Sequence, residues 1–309
     1  MEQVLSGSAV VGHEDVFTLE AWQHAGKWFS YGGHAIFSRM AGRGEPLVLL
    51  HGFPTASWDW SRIWPMLARH YRLLTLDMLG FGFSDKPQNY HYSIEDQADL
   101  VQGWLEGLGL PAVHLFAHDY GTSVVQELLA RDQEASLGFH IKSVCLLNGG
   151  LFPEVHNPLL IQKLLRSPFG GVISRGLSKG TFERNFRRLF GAHNQPDRQD
   201  LLDFWHLLTY NNGRGILHEL IQFMEERRCH RNRWVGALQN ATQPARLISG
   251  TADPVSGAAM VRRYRELMSE ADVVSMRHVG HYPHFEKPRD VFSAYQDFRQ
   301  QVFETGSAG

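Results

Sequence analysis

Apolar residues gather in short continuous runs, and between the runs they recur every three or four positions. The runs read as strands and the spaced stretches as amphipathic helices. Residues 27–31 and 34–39 flank Gly32-Gly33 and predict a β-hairpin. Residues 46–50 read as a strand covered on both faces. Further strands are expected at 71–77, 112–117, 141–147, 245–249 and 273–276. Ser93-Ile94-Glu95-Asp96 resembles a capping box and opens a helix to about 108, and 290–303 predicts a closing helix. Strands alternating with helices imply an α/β fold, with a mostly parallel sheet and helices on both faces.

The alternation stops between about 149 and 234. That stretch carries Pro153, Pro158, Pro168 and Pro196, glycine pairs, and helix-like segments such as 201–208. It reads as a helical insertion between two strands. The expected division is a core of 26–149 and 236–303, with 150–235 inserted as a helical cap. Residues 1–25 and 304–309 are expected to be loosely packed ends.

Composition narrows the class. The 309 residues are 43% hydrophobic and 20% charged, enough for a large core without a disulfide or metal staple. Net charge is −2, which gives no sign of a nucleic-acid partner. The densest basic stretch, 227–233, lies beside Glu225 and Glu226 and reads as a solvated helix face. Cys145 and Cys229 are far apart, and Cys145 sits in an apolar run. No signal peptide is visible and no apolar run is long enough to span a membrane, so a cytoplasmic location is expected. Oligomeric state is not legible.

Four motifs carry chemistry. Ala117-His118-Asp119-Tyr120-Gly121 follows a predicted strand, with small residues two before and two after Asp119. A sharp strand-to-helix turn needs that spacing, because larger side chains would clash. A carboxylate presented there can displace a leaving group at a saturated carbon, and water then hydrolyses the ester. The next helix would direct its positive N-terminal end at Asp119. Aspartate also caps helices, so this motif alone does not decide. His51-Gly52-Phe53-Pro54 ends the buried strand, and the backbone N–H groups of Phe53 and Tyr120 are the expected oxyanion hole, with both side chains facing the substrate. Asp253, in Ser249-Gly250-Thr251-Ala252-Asp253-Pro254, is the candidate acid that orients a histidine. His281, in Gly280-His281-Tyr282-Pro283, is the candidate general base. All three groups follow strands, in the order nucleophile, acid, histidine. The rival acid position after 141–147 holds Asn148, which cannot be anionic.

The stretches HGFPTASWDW (51–60), LDMLGFGFSDKP (76–87), AHDYGTS (117–123), SGTADP (249–254) and GHYPHFEKP (280–288) resemble the epoxide hydrolase and haloalkane dehalogenase branch of the α/β-hydrolases. Within that branch, HYSIEDQA (91–98), IKSVCLLNGGLFPEVHNPLLIQKLL (141–165) and RWVGAL (233–238) are similar to the mesoderm-specific transcript subgroup. The resemblance implies an eight-stranded sheet, a cap over the nucleophile, and neither metal nor organic cofactor. It also implies Asp119 as nucleophile, Asp253 as acid and His281 as base, acting on a small apolar substrate and water. Two departures matter. Tyr120 replaces the tryptophan that dehalogenases usually place after the nucleophile, and Phe53 stands where one group carries asparagine. Epoxide hydrolases usually protonate the opening oxygen with two cap tyrosines, whereas 149–234 holds one, Tyr210. Tyr210 and His206 are therefore the candidate cap donors, with His156 a further one. Epoxide hydrolysis leads, followed by dehalogenation, ester or lactone hydrolysis, and a non-catalytic role for the fold.

Overall fold

The computed structural model describes residues 17–306. Its strands are β1 (Lys27–Tyr31), β2 (His34–Ala41), β3 (Pro46–Leu50), β4 (Arg72–Leu76), β5 (Ala112–Ala117), β6 (His140–Leu147), β7 (Ala245–Gly250) and β8 (Asp272–Met276). They form one sheet in the order β1-β2-β4-β3-β5-β6-β7-β8. β1 and β2 make the expected hairpin, and β2 pairs antiparallel with β4. All remaining pairings are parallel. Successive strand residues face opposite sides of a sheet. Leu47, Val48, Leu49 and Leu50 are all at 0% exposure, so both faces of β3 are covered.

The helices before β6 are α1 (Leu19–His24), α2 (Trp64–Leu67), α3 (Ile94–Gly107) and α4 (Tyr120–Gln133). Ser93 Oγ accepts the Asp96 N–H at 3.0 Å and starts α3, as its sequence predicts. Near the N-terminus the expectation of a loose end to residue 25 fails. Trp22 of α1 is buried, its ring 4.9 Å from Trp64 and 5.5 Å from Trp58, and the guanidinium of Arg39 lies 4.2 Å above it. One large aromatic side chain supplies enough buried surface to hold that short helix. Residues 1–16 lie outside the described residues.

Between β6 and β7 come α5 (Leu160–Leu165), α6 (Gly170–Arg175), α7 (Lys179–Arg187), α8 (Arg198–Thr209), α9 (Leu217–Leu220), α10 (Phe223–Cys229) and α11 (Arg231–Gln239). α11 docks on α4, with Trp234 Nε1 donating to Glu127 Oε2 at 2.8 Å and Arg233 Nε donating to the same oxygen at 2.8 Å. The chain closes with α12 (Ala258–Leu267), α13 (Pro283–Glu286) and α14 (Pro288–Gly306). No helix of the described residues is long and apolar enough to cross a membrane.

Candidate active site

The turn after β5 is built from close approaches. Asp119 takes φ 41 and ψ −103, a conformation strained for a residue with a side chain. A Cβ on Gly121 would lie 2.6 Å from Leu50 O, and one on Gly52 would lie 3.0 Å from Asp119 Cβ. The strained residue is held from its flanks. Its N–H donates to Asn148 O at 2.9 Å, and its carbonyl accepts Thr122 N–H at 3.0 Å and Thr122 Oγ1 at 2.6 Å. α4 then begins at Tyr120 with its N-terminus beside the carboxylate.

Because β5, β7 and β8 run parallel, the loops after them meet at one edge of the sheet. There His281 Nδ1 lies 2.7 Å from Asp253 Oδ2, and His281 Nε2 lies 3.9 Å from Asp119 Oδ2. Asp253 is buried and held: Oδ2 also accepts Ser256 Oγ at 2.6 Å and Asn148 Nδ2 at 2.9 Å, and Oδ1 accepts Val255 N–H at 2.8 Å. Phe53 N–H donates to Asp119 Oδ2 at 3.1 Å. Phe53 also lines the cavity, as expected, but the Tyr120 side chain does not. It packs 5.2 Å from Phe81 and 5.0 Å from Phe223, because the first turn of α4 directs it into the aromatic core. His51 holds its loop, its Nδ1 bonded to Gly52 O at 2.9 Å and its Nε2 accepting Met78 N–H at 3.0 Å.

Burial alone would raise the Asp119 carboxyl, but His281 and Arg227 outweigh it and hold it well below the usual carboxylate range. Burial would likewise discharge His281, yet Asp253 and Asp119 push it up to about 10. A histidine raised on folding stabilises the protein fully below its unfolded pKa of about 6.5, and that contribution is lost as pH rises through the folded value. Between those limits the Tm of the parent should fall more steeply with pH than that of His281→Gln. Parallel curves in differential scanning calorimetry would show that His281 is not charged in the free protein.

Arg227 departs from the expected solvated face. Arg228 is 59% exposed on its side chain, but Arg227 is at 3%. Its Nη2 donates to Asp119 O at 3.0 Å and lies 3.5 Å from Asp119 Oδ1, and its Nε donates to Ser123 Oγ at 2.7 Å. α10 drives this one guanidinium inward, where the carboxylate compensates its burial. Two further residues position the histidine. His118 Nε2 bonds to His281 O at 2.8 Å, and Glu286 accepts Gly280 N–H at 2.9 Å. The inserted segment reaches the same loop, since Leu189 O accepts His281 N–H at 2.7 Å.

Over Asp119 and His281 lies an apolar cavity of about 70 Å³, walled by side chains including Leu165, Phe182, Phe186, Leu208 and Val255. Its polar lining beyond Asp119 and His281 is Gln162 and Asn185. The expected donors Tyr210 and His206 are elsewhere. α8 turns Leu208 to the cavity, while exposed His206 and half-buried Tyr210 pack toward Phe83, Tyr210 at 5.3 Å. The helix ends at Thr209, with Tyr210 at φ −53 and ψ 140 and Asn211 and Asn212 at φ 47 and 59. His156 also misses the cavity; it is half-buried beside Arg227, and desolvation together with that guanidinium lowers it to about 4. Trp205 packs against Phe182 at 5.5 Å. Beside His281, Asp59, His118 and His284 are wholly buried with ligand atoms within 4.8 Å of one another, a donor set that suits a cation or a bridging water.

Comparison with known proteins places the fold. A family model described as alpha/beta hydrolase fold matches residues 45–288. The mesoderm-specific transcript homolog protein of Homo sapiens is 42% identical over 294 residues, covering 91% of this chain and 87% of that one. Haloalkane dehalogenase DbeA from Bradyrhizobium elkani superposes with a TM-score of 0.78 at 18% identity, over 91% of this chain and 99% of that one. Epoxide hydrolase CorEH superposes with a TM-score of 0.73 at 18% identity, over 90% and 99%.

Proposed function

Because the chain belongs to the alpha/beta hydrolase family, we propose that it is a cofactor-free hydrolase using Asp119 as nucleophile, and that it converts apolar epoxides to diols. The observation that carries this reading is the line Asp119–His281–Asp253, with Phe53 N–H on the carboxylate, beneath an apolar cavity. The helices of residues 150–235 act as its cap.

An Asp119 oxygen attacks a ring carbon, the carbon–oxygen bond breaks, and an ester and an alkoxide result. Esterification removes the Asp119 charge, one of the two carboxylates that hold the His281 proton. The imidazolium becomes more acidic, and its proton passes through cavity water to the alkoxide. Neutral His281, oriented by Asp253, then takes a proton from the water that attacks the ester carbonyl. Phe53 N–H stabilises the oxyanion that forms. Collapse releases the diol and leaves one water oxygen in the carboxylate. The proton balance closes without a cap tyrosine.

Dehalogenation is the second reading, and Gln162 favours it. Its Oε1 accepts Leu159 N–H at 2.8 Å, which leaves its NH₂ group for the cavity. An amide can hold a halide, which needs no proton, but cannot protonate an alkoxide.

Single turnover on styrene oxide in oxygen-18 water, followed by mass spectrometry of the peptide carrying Asp119, tests the assignment. Heavy oxygen in Asp119 together with diol is the expected result. Label without diol from a haloalkane would favour the second reading. No label with either substrate would overturn the nucleophile.

A further inference from the structure

Helix α5 is apolar on two sides. Ile161 and Leu165, one turn apart, line the cavity. Leu160 and Leu164, also one turn apart, face outward at 71% and 40% exposure. The outward face continues onto α6 through Phe169 at 72% and Val172 at 73%. Of the five large hydrophobic residues most exposed among the described residues, four lie in this short segment. A helix with apolar residues on two sides normally buries both, so an exposed apolar side marks a surface that something covers.

Charge identifies the cover. No Asp or Glu occurs between Glu154 and Glu183, whereas Lys163, Arg166, Arg175 and Lys179 do. Lys163 and Arg175 are exposed at the rim of the patch. The chain as a whole has a net charge of −2, so this basic segment stands against the average. Arg166 pairs with Glu225 at 2.8 Å and Lys179 lies 3.8 Å from Glu183, so the rim charge rests on Lys163 and Arg175, and a second copy seated on the same patch would bring these two cations against their own counterparts. An anionic lipid surface meets both demands, accepting Leu160, Leu164, Phe169 and Val172 among its acyl chains and the basic rim among its headgroups.

We propose that the α5–α6 face docks this protein on anionic lipid surfaces, with the cavity mouth held at the membrane so that apolar substrate passes from lipid to Asp119. The insertion is interfacial, since α5 and α6 are each six residues long and no helix of the described residues is long and apolar enough to cross a membrane. Docking does not depend on which bond the site breaks.

Sedimentation of the purified full chain with phosphatidylcholine vesicles, with and without phosphatidylglycerol, tests this directly. Binding should rise with phosphatidylglycerol content and weaken with salt. Leu160→Ser/Phe169→Ser/Val172→Ser should reduce it about tenfold or more while leaving Tm unchanged, since these side chains touch solvent. Lys163→Gln/Arg175→Gln should abolish the preference for the anionic lipid. Equal sedimentation of parent and both variants would overturn the proposal. So would light scattering that shows a dimer of the parent reduced to monomer in the triple variant, since a second copy would then be the cover.

Discussion

On the proposed mechanism, turnover of an epoxide by Asp119→Ala should fall by about 10⁴-fold or more, because the covalent route is lost and water alone must open the ring. His281→Gln fails differently. Asp119 still attacks, but the ester lacks a base to activate water, so one equivalent of substrate stays on the protein. Intact-mass spectrometry within a minute of mixing should show that addition in His281→Gln and in neither the parent nor Asp119→Ala. Alanine is the right replacement, since asparagine at a strained, buried turn can deamidate and restore the carboxylate. Ester on the Asp119→Ala protein, or diol from it at the parent rate, would place the nucleophile elsewhere.

Arg227→Leu should cost about 3–5 kcal/mol of unfolding free energy in urea titration, the usual consequence of leaving a buried charge without its partner. It strips the guanidinium from Asp119 and leaves Ser123 Oγ without its donor. Arg228→Leu, one position on and exposed, should change stability by no more than about 0.5 kcal/mol. With Arg227 gone the Asp119 carboxyl rises toward the normal range, so ester formation in the variant should slow as pH falls, while the parent stays flat. Equal unfolding midpoints for the two variants would mean that the burial of Arg227 carries no energetic weight.

These two experiments address residues of different legibility. The sharp turn at Asp119 could be read from its neighbours, because a residue held on such a turn forces small residues at Ala117 and Gly121 whatever surrounds it. The alternation of apolar runs similarly announced the parallel sheet, and with it the meeting of Asp119, Asp253 and His281 at one edge. Arg227 could not be read that way. Arg228, Arg231 and Arg233 in the same stretch make ion pairs with Glu225, Glu154 and Glu127, and residue type alone does not tell which cation turns inward. Tyr210 and His206 failed for a related reason. Their spacing suits a donor pair only where the helix continues, but α8 ends at Thr209 and turns Leu208 to the cavity instead.

By itself, then, the sequence determined the sheet, the order of its strands' exit loops and the three groups those loops carry, because these depend on constraints a few residues long. Tertiary structure alone decided what surrounds them: the guanidinium under the carboxylate, the hydrophobic walls, the absence of the expected tyrosine from the cavity and the uncovered face of α5. Those features depend on how inserted helices roll and dock against a distant sheet, and many rotations bury similar apolar area.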